Sequence, residues 1–359
     1  MRIGFVSLWV NRGQGIVTRQ IRDVMEEAGH ETFVLARPTG DLAAMPSHVD
    51  ESEEWLDPSV TYGSRYQMDP SEYVNWAKAH QLDVMMTDQN LQFAGIKAVR
   101  NLGVRTIGRF VWERYGENNV EKTIQSFDTV FSLTLAEQER YARFGIESPY
   151  VRYGVHPSII ESTAPKPADG PMLFIFHGGA HGLRKPYQAT LEAFKAVANP
   201  DIRLVIKSQV EATDRTEAFR IDDDPRIVEV VEDMSFEEYT AFFSSHHVCL
   251  TPTRWEGLGV WLYESIGFGQ PVISTDIPPV NEVIRHGVNG LLARPVEIGR
   301  KKPDLGIYDP DIGHLTQLIT EIAEPGRLQE LTATLLADRP RLSWENTKGD
   351  YLALVEGRL

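Results

Sequence analysis

Two carboxylates eight positions apart, Glu256 and Glu264, bracket a turn that carries Gly257 and Gly259. The segment Pro252 to Thr275 reads PTRWEGLGVWLYESIGFGQPVIST, and the apolar run His247-Val248-Cys249-Leu250 precedes it. Strand-length apolar runs, a proline-free stretch from Val260 to Phe268 and a Gly269–Pro271 stop predict strand, glycine loop, helix, strand. Backbone N–H groups at a helix start lack partners and attract anions, and glycine lets the backbone come close. The two carboxylates would not bind that anion. A carboxylate accepts from two donors side by side, which suits paired hydroxyls. A phosphate with polyols on both sides describes a nucleotide-diphosphate sugar.

A second stretch has matching chemistry. His177-Gly178-Gly179-Ala180-His181-Gly182-Leu183-Arg184-Lys185-Pro186 follows the predicted strand Met172 to Phe176 and leads into a predicted helix with Tyr187, Thr190, Leu191, Phe194 and Val197 on its buried face. Glycines, a helix start and the two cations Arg184 and Lys185 make a phosphate cradle. Lys207, at the end of the predicted strand Arg203 to Ser208, is a candidate second contact to phosphate or base. Asp222-Asp223-Asp224 precedes Pro225 and a strand, so it reads as a turn and not as a metal site. His246 and His247 are too few ligands for a metal. No metal and no cofactor are expected.

These elements sit in a chain of 359 residues, long enough for two ordinary domains. Hydrophobic residues make up 42% and charged residues 24%, as in globular proteins. Lys plus Arg number 36 against 51 Asp plus Glu, a net charge of −15, which argues against a nucleic-acid binder. No run approaches eighteen apolar residues, so no transmembrane helix is expected, while peripheral membrane contact stays open. A lone cysteine, Cys249, in an apolar run reads as a buried thiol and, with the short N-terminal apolar run, favours a cytoplasmic protein.

The N-terminal part reads as strand, loop, helix, strand: Arg2 to Val10, a loop with Gly13 and Gly15, a helix closed by Gly29, then Glu31 to Leu35. Thr39 to Pro70, acidic and proline-bearing, reads as a loop excursion. Strands follow at Leu82 to Thr87, Val104 to Gly108 and Thr129 to Leu133. Arg109, Trp112 and Glu113 come at the C-terminal end of one of them, where open α/β sheets place ligands. Trp112 offers an apolar face to a sugar ring, and Glu113 could orient a hydroxyl. Leu315 to Leu336 reads as helical.

The pattern P-T-R-W-E-G-L-G, then E-S-I-G-F-G-Q-P-V-I, then STDIPPVNEVIRHGVNGLLARP, resembles the signature of the retaining glycosyltransferases of family 4, the group 1 glycosyltransferases. Lys185-Pro186 followed by T-L-E-A-F is similar to the family segment whose lysine contacts the donor diphosphate. The resemblance is dense over residues 172 to 294. It implies a GT-B architecture, α/β, with two Rossmann-like doubly wound domains facing a cleft. The implied organisation is an acceptor-side domain over 1–157, a linker over 158–171, a donor-side domain over 172–338, and a closing helix over 339–359 that returns to the first domain.

It further implies transfer of a sugar from a nucleotide-diphosphate sugar to an acceptor hydroxyl on a glycan, lipid or small molecule, with retention and without metal. Glu264 would hold the donor ribose. Glu256 would lie near the sugar ring beside the backbone of Gly257, Leu258 and Gly259. Gly13, Gly15, Gly179 and Lys207 would complete the donor side. Lys185, Arg184 and Glu256 would carry catalysis, and Glu113 is a further catalytic candidate from its own position after the Val104 strand, not from the resemblance. The family commonly has a histidine after the Val104 strand, whereas this chain has none between His80 and His156. That departure motivates one alternative, a nucleotide-sugar-binding homologue without transfer; the shared two-domain fold offers another, a sugar-nucleotide 2-epimerase, which the match to the transferase signature disfavours.

Overall fold

The computed structural model describes residues 1–40, 49–53, 55–179, 182–209, 224–232, 234–302 and 305–359. Ala180 and His181 of the glycine loop, Glu54, and Asp222 and Asp223 lie outside them. The chain divides into two compact units, Met1–Tyr153 with Thr347–Leu359, and Gly154–Asn346.

The first unit alternates strand and helix: β1 (Arg2–Leu8), α1 (Gly13–Glu27), β2 (Glu31–Arg37), β3 (Val60–Tyr62), α2 (Pro70–Ala79), β4 (Val84–Asp88), α3 (Phe93–Arg100), β5 (Arg105–Arg109), α4 (Glu117–Ser126), β6 (Thr129–Val130) and α5 (Leu135–Arg143). Its sheet runs β3-β2-β1-β4-β5-β6, and every pairing is parallel. β1 reads as an almost uninterrupted apolar run because helices cover both faces of such a sheet. Ile3, Phe5 and Val6 are at most 1% exposed, and burying each such side chain stabilises the unit by about 1.5–3 kcal/mol. Inside the expected loop excursion, Val60–Tyr62 forms the sheet's edge strand, paired to Val34–Ala36. α2 begins with a capping box, Asp69 accepting from Ser71 N–H and Glu72 from Asp69 N–H, with Pro70 in the first turn.

The second unit repeats the plan: α6 (Pro157–Glu161), β7 (Met172–Gly179), α7 (Tyr187–Lys195), β8 (Ile202–Ser208), β9 (Ile227–Val231), α8 (Phe236–Ser244), β10 (Val248–Leu250), α9 (Val260–Gly267), β11 (Val272–Thr275), α10 (Val280–Val283) and β12 (Gly290–Ala293). The sheet order is β12-β11-β10-β7-β8-β9, again parallel throughout. Tyr187, Leu191, Phe194 and Val197 enter one core with Phe174, Phe176 and Leu204. Cys249 is buried, its Sγ 3.3 Å from Thr251 Oγ1, and burial pushes its thiol up to about 11.

Several elements differ from the sequence reading. Part of the expected 158–171 linker is helical in α6. After β12 an antiparallel hairpin, β13 (Pro295–Lys302) with β14 (Leu305–Pro310), was not anticipated. The single helix expected over Leu315 to Leu336 is two, α11 (Ile312–Ile322) and α12 (Arg327–Asp338), because Pro325 and Gly326 interrupt it. The last helix, α13 (Lys348–Glu356), packs in the first unit, where the Arg105 guanidinium donates to the carbonyls of Leu354 and Val355 at 3.1 and 2.9 Å.

Candidate active site

Glu256 sits in the loop between β10 and α9, only 3% exposed. Its Oε1 accepts from Arg184 Nη1 at 3.0 Å and from the Gly257 N–H at 3.0 Å. Its Oε2 accepts from the Trp261 indole at 2.9 Å and lies 3.8 Å from Lys185 Nζ. Burial alone would push this carboxyl up, but Arg184 and Lys185, helped by the indole and amide donors, hold it below its ordinary value. Gly259 makes the turn: its φ of 75° is left-handed, and it directly precedes α9.

Lys185 is the chemical centre of this arrangement. Its side chain is 7% exposed, and its ammonium has no hydrogen-bond partner. It lies 4.8 Å from the centre of the Trp261 ring. Burial lowers its pKa to about 8, with Arg184 acting in the same direction and Glu256 opposing. Two cations face one carboxylate, so a positive charge is left over with all three ammonium donors available. His177, from β7, stacks on Phe243 at 4.3 Å between ring centres. Burial first, then Lys185 and His246, hold this imidazole well below its ordinary pKa, so it is neutral, and its Nε2 is likewise buried without a partner.

Glu264 lies on α9, 8% exposed, and its Oε2 accepts from the Tyr239 hydroxyl at 2.7 Å. Burial pushes it up to about 7, against the Tyr239 bond. Tyr239 is delivered by α8, whose N-terminus is a capping box: Glu238 N–H donates to Ser235 Oγ at 3.2 Å and Ser235 N–H to Glu238 at 2.9 Å. The hairpin braces the loop before Glu256. Arg254 Nε pairs with Asp309 at 2.6 Å, Arg254 Nη1 donates to the Leu183 carbonyl at 3.0 Å, and Lys301 lies over the Trp255 ring at 4.3 Å.

Arg184, Lys185, Glu256 and Gly257 are therefore joined directly, and Glu264 stands about one turn into the adjoining helix. Two expected roles change. The Gly257 N–H is taken by the Glu256 carboxylate instead of facing outward, so among the described residues it is the Leu258 and Gly259 amides of this loop that carry no backbone bond. Lys207 is committed to the carbonyls of Ser208, at 3.0 Å, and Glu232, which orders the end of β8 rather than presenting a free cation. Gly179 ends β7 beside a register shift in the β7–β8 pairing.

Gly13, Gly15, Trp112 and Glu113 belong to the first unit. Gly15 lies in the first turn of α1, where a Cβ would run into the Val10 carbonyl oxygen. Trp112 is half-buried and Glu113 is 6% exposed, both in the turn after β5. Arg109 at the end of β5 is structural: it is 3% exposed and pairs with Asp88 at 2.9 Å and Glu137 at 2.5 Å. Trp261 and Tyr239 were missed by sequence reasoning. A tryptophan in the first turn of the helix that follows the glycine loop was the available signal for the first; nothing marked Tyr239. No group of three or more His, Cys, Asp or Glu able to hold a metal occurs among the described residues.

Residues 171–300 match the family model described as "Glycosyl transferases group 1". Over 66 residues, 18% of this chain, the sequence is 33% identical to an uncharacterised glycosyltransferase of Methanocaldococcus jannaschii. The matched stretch spans 19% of that protein's length, so likeness to curated relatives is local. Among solved structures, sucrose-phosphate synthase from Thermosynechococcus elongatus superposes with a TM-score of 0.74 at 16% identity, covering 99% of this chain and 98% of that one. HepE of Anabaena, determined with UDP and glucose, gives 0.72 at 13% identity and covers all of both chains. The GT-B fold is thus the fold of this chain. Among the described residues, no helix is long and apolar enough to cross a membrane.

Proposed function

We propose that this protein is a retaining glycosyltransferase that moves a sugar from a nucleotide-diphosphate sugar to an acceptor hydroxyl without a metal. The observation that carries the reading is the buried Lys185 ammonium, without a hydrogen-bond partner and 3.8 Å from Glu256. Breaking the glycosidic bond of the donor leaves negative charge on the diphosphate. A fixed cation in a water-poor setting stabilises that charge where it develops. Arg184 and the amides of Leu258 and Gly259 add to it. Glu256, its carboxylate held by the Arg184, Gly257 and Trp261 donors, fixes Arg184 by a hydrogen bond and faces Lys185 as an ion pair. The donor's ribose hydroxyls would bind Glu264, and the leaving phosphate would take the acceptor proton, so no protein nucleophile is required. The test is incubation with UDP-, GDP- and ADP-sugars, reading nucleoside diphosphate release and the anomeric configuration of the product by NMR. Failure of every donor to bind or turn over would refute the reading.

Glu264→Ala is expected to weaken nucleotide binding tenfold or more, since losing a charged hydrogen-bond partner costs about 1.5–3 kcal/mol. Calorimetric titration checks this, with circular dichroism to show an intact fold. A pH profile adds a sharper readout. Glu264 must be ionised to accept paired hydroxyls, so affinity falls as pH drops through about 7. Lys185 must be protonated to hold phosphate, so affinity falls again as pH rises through about 8. Glu264→Gln should lose the acidic limb and keep the alkaline one; a variant that keeps both would show that Glu264 does not touch the nucleotide.

Donor hydrolysis is expected to survive EDTA, because the cradle supplies the charge that a divalent cation would otherwise bring. Complete loss with EDTA, restored by Mg²⁺ or Mn²⁺, would instead assign that charge to a metal.

A further inference from the structure

Four arginines are buried in the first unit: Arg22, Arg37, Arg109 and Arg140, at 8%, 2%, 3% and 5% exposure. Three of them have obvious partners. Arg22 bonds Glu26, Asp57, Thr32 and Ser59. Arg109 bonds Asp88 and Glu137, and Arg140 donates to the Tyr115 carbonyl at 2.8 Å. Arg37 differs. Its Nε and Nη1 are sealed from solvent without any hydrogen-bond partner, and the polar side chain set against the guanidinium, the Tyr73 hydroxyl, is neutral. Its stacking contact is the Tyr66 ring, 4.7 Å from the guanidinium carbon. An arginine cannot shed its proton, and an uncompensated buried charge is strongly unfavourable.

The position is informative. Arg37 is the last residue of β2, level with Leu8 at the end of β1. β1 is flanked by β2 on one side and β4 on the other, so the winding of the sheet reverses there, and open α/β sheets take ligands beyond the C-terminal ends of such strands. The surroundings are polar and fixed. The Tyr73 hydroxyl donates to Gln92 Oε1 at 2.9 Å and accepts from Asn90 Nδ2 at 3.0 Å, and Gln92 Nε2 donates to the Tyr66 carbonyl. None of these four groups carries a negative charge. In a protein of net charge −15, a small anion is repelled at long range and requires a dedicated cation.

We propose that Arg37 binds an oxyanion, phosphate or carboxylate, carried by the acceptor, an inference that rests on the transferase reading for the word acceptor but not for the anion site itself. Glucose, glucose 6-phosphate, glucuronate and inorganic phosphate serve as probes on the full chain, in thermal-shift and calorimetric titrations of wild type and Arg37→Met. The donor cradle is intact in both proteins, so the difference between them is the readout. Arg37→Met is expected to raise the melting temperature of the ligand-free protein, because it removes an unbalanced buried charge. It is expected to abolish the anion-dependent rise seen in wild type, to which glucose contributes nothing. Arg37→Lys, which keeps the charge and loses the fork, should bind the anions at least tenfold more weakly than wild type and provides the comparison if the methionine variant does not fold.

At least tenfold tighter binding of glucose 6-phosphate or glucuronate than of inorganic phosphate supports a substituent on the acceptor; equal affinity reduces the site to one for free anions and overturns the acceptor assignment. An anion response that is absent from wild type, or that persists in Arg37→Met, overturns the proposal outright. Nucleotide-sugar binding measured on the same samples separates the two readings. Donor binding without an Arg37-dependent anion response sinks this inference alone, whereas an anion response without donor binding sinks the transferase reading alone.

Discussion

Lys185→Met should lower turnover by about 10²–10³-fold, the usual loss when one fixed donor to a developing charge is removed. Methionine fills the same channel as the lysine stem, so the side chain's packing against Trp261 is retained and the cation alone is lost. Glu256 keeps its bonds from Arg184, Trp261 and Gly257, so the loop stays in place. Steady-state measurement of nucleoside diphosphate release gives the number. Equal falls in kcat and kcat/KM would place the Lys185 contact in the transition state, while a rise in KM alone would make it a ground-state binding contact. Arg184, 45% exposed, should matter less, since solvent screens its charge. Turnover unaffected by the methionine substitution would make Lys185 a packing residue and remove the main support for the proposed chemistry.

Glu137→Ala is expected to destabilise the first unit by about 3–5 kcal/mol, because it strands part of a buried guanidinium. Glu137 is fully buried, accepts from Arg109 at 3.0 and 2.5 Å, and also takes the Leu133 N–H at 2.8 Å. Burial alone would depress the Arg109 pKa, but Glu137 and Asp88 raise it, so the cation is permanent. For a unit of this size the melting temperature should fall by roughly 6–20 °C. Replacing Arg109 and Glu137 together by leucine should cost less than removing Glu137 alone, because no unpaired charge is left except the more exposed Asp88. Calorimetry on the three proteins decides it; a double variant no more stable than Glu137→Ala would show that the network does not act through charge balance.

The cluster around Glu256 was legible because its residues lie close together in sequence. Glu256, the two glycines and Glu264 occupy one loop and one helix, and Arg184 with Lys185 occupy another loop. The parallel sheets were legible from apolar runs such as Ile3 to Val6 and Phe174 to Phe176, since strands covered on both faces leave no polar alternation. What stayed hidden depends on contacts across the fold. The indole of Trp261 reads as a core side chain until it is seen donating to Glu256. Arg37 reads as a polar strand terminus until its burial is known. The hairpin Pro295–Pro310 was invisible because its first strand is solvent-exposed along nearly its whole length, so hydrophobic periodicity does not mark it. The split between α11 and α12 was written in Pro325-Gly326 but was overridden by the apolar stripe on either side.

The first unit is discontinuous along the chain: its sheet is complete by Tyr153, yet the helix that Arg105 grips comes only after the whole second unit, Val355 lying 250 residues beyond Arg105. During synthesis from the N-terminus the ribosome must therefore release the entire second unit before the first can close. Until then the Arg105 guanidinium and the surface that receives α13 stay uncovered in the nascent chain. The second unit, continuous from Gly154 to Asn346, has no such wait. Expression of residues 1–153 alone should yield a chaperone-dependent, aggregation-prone product, whereas co-expression with a separate 347–359 peptide offers a direct route to complementation.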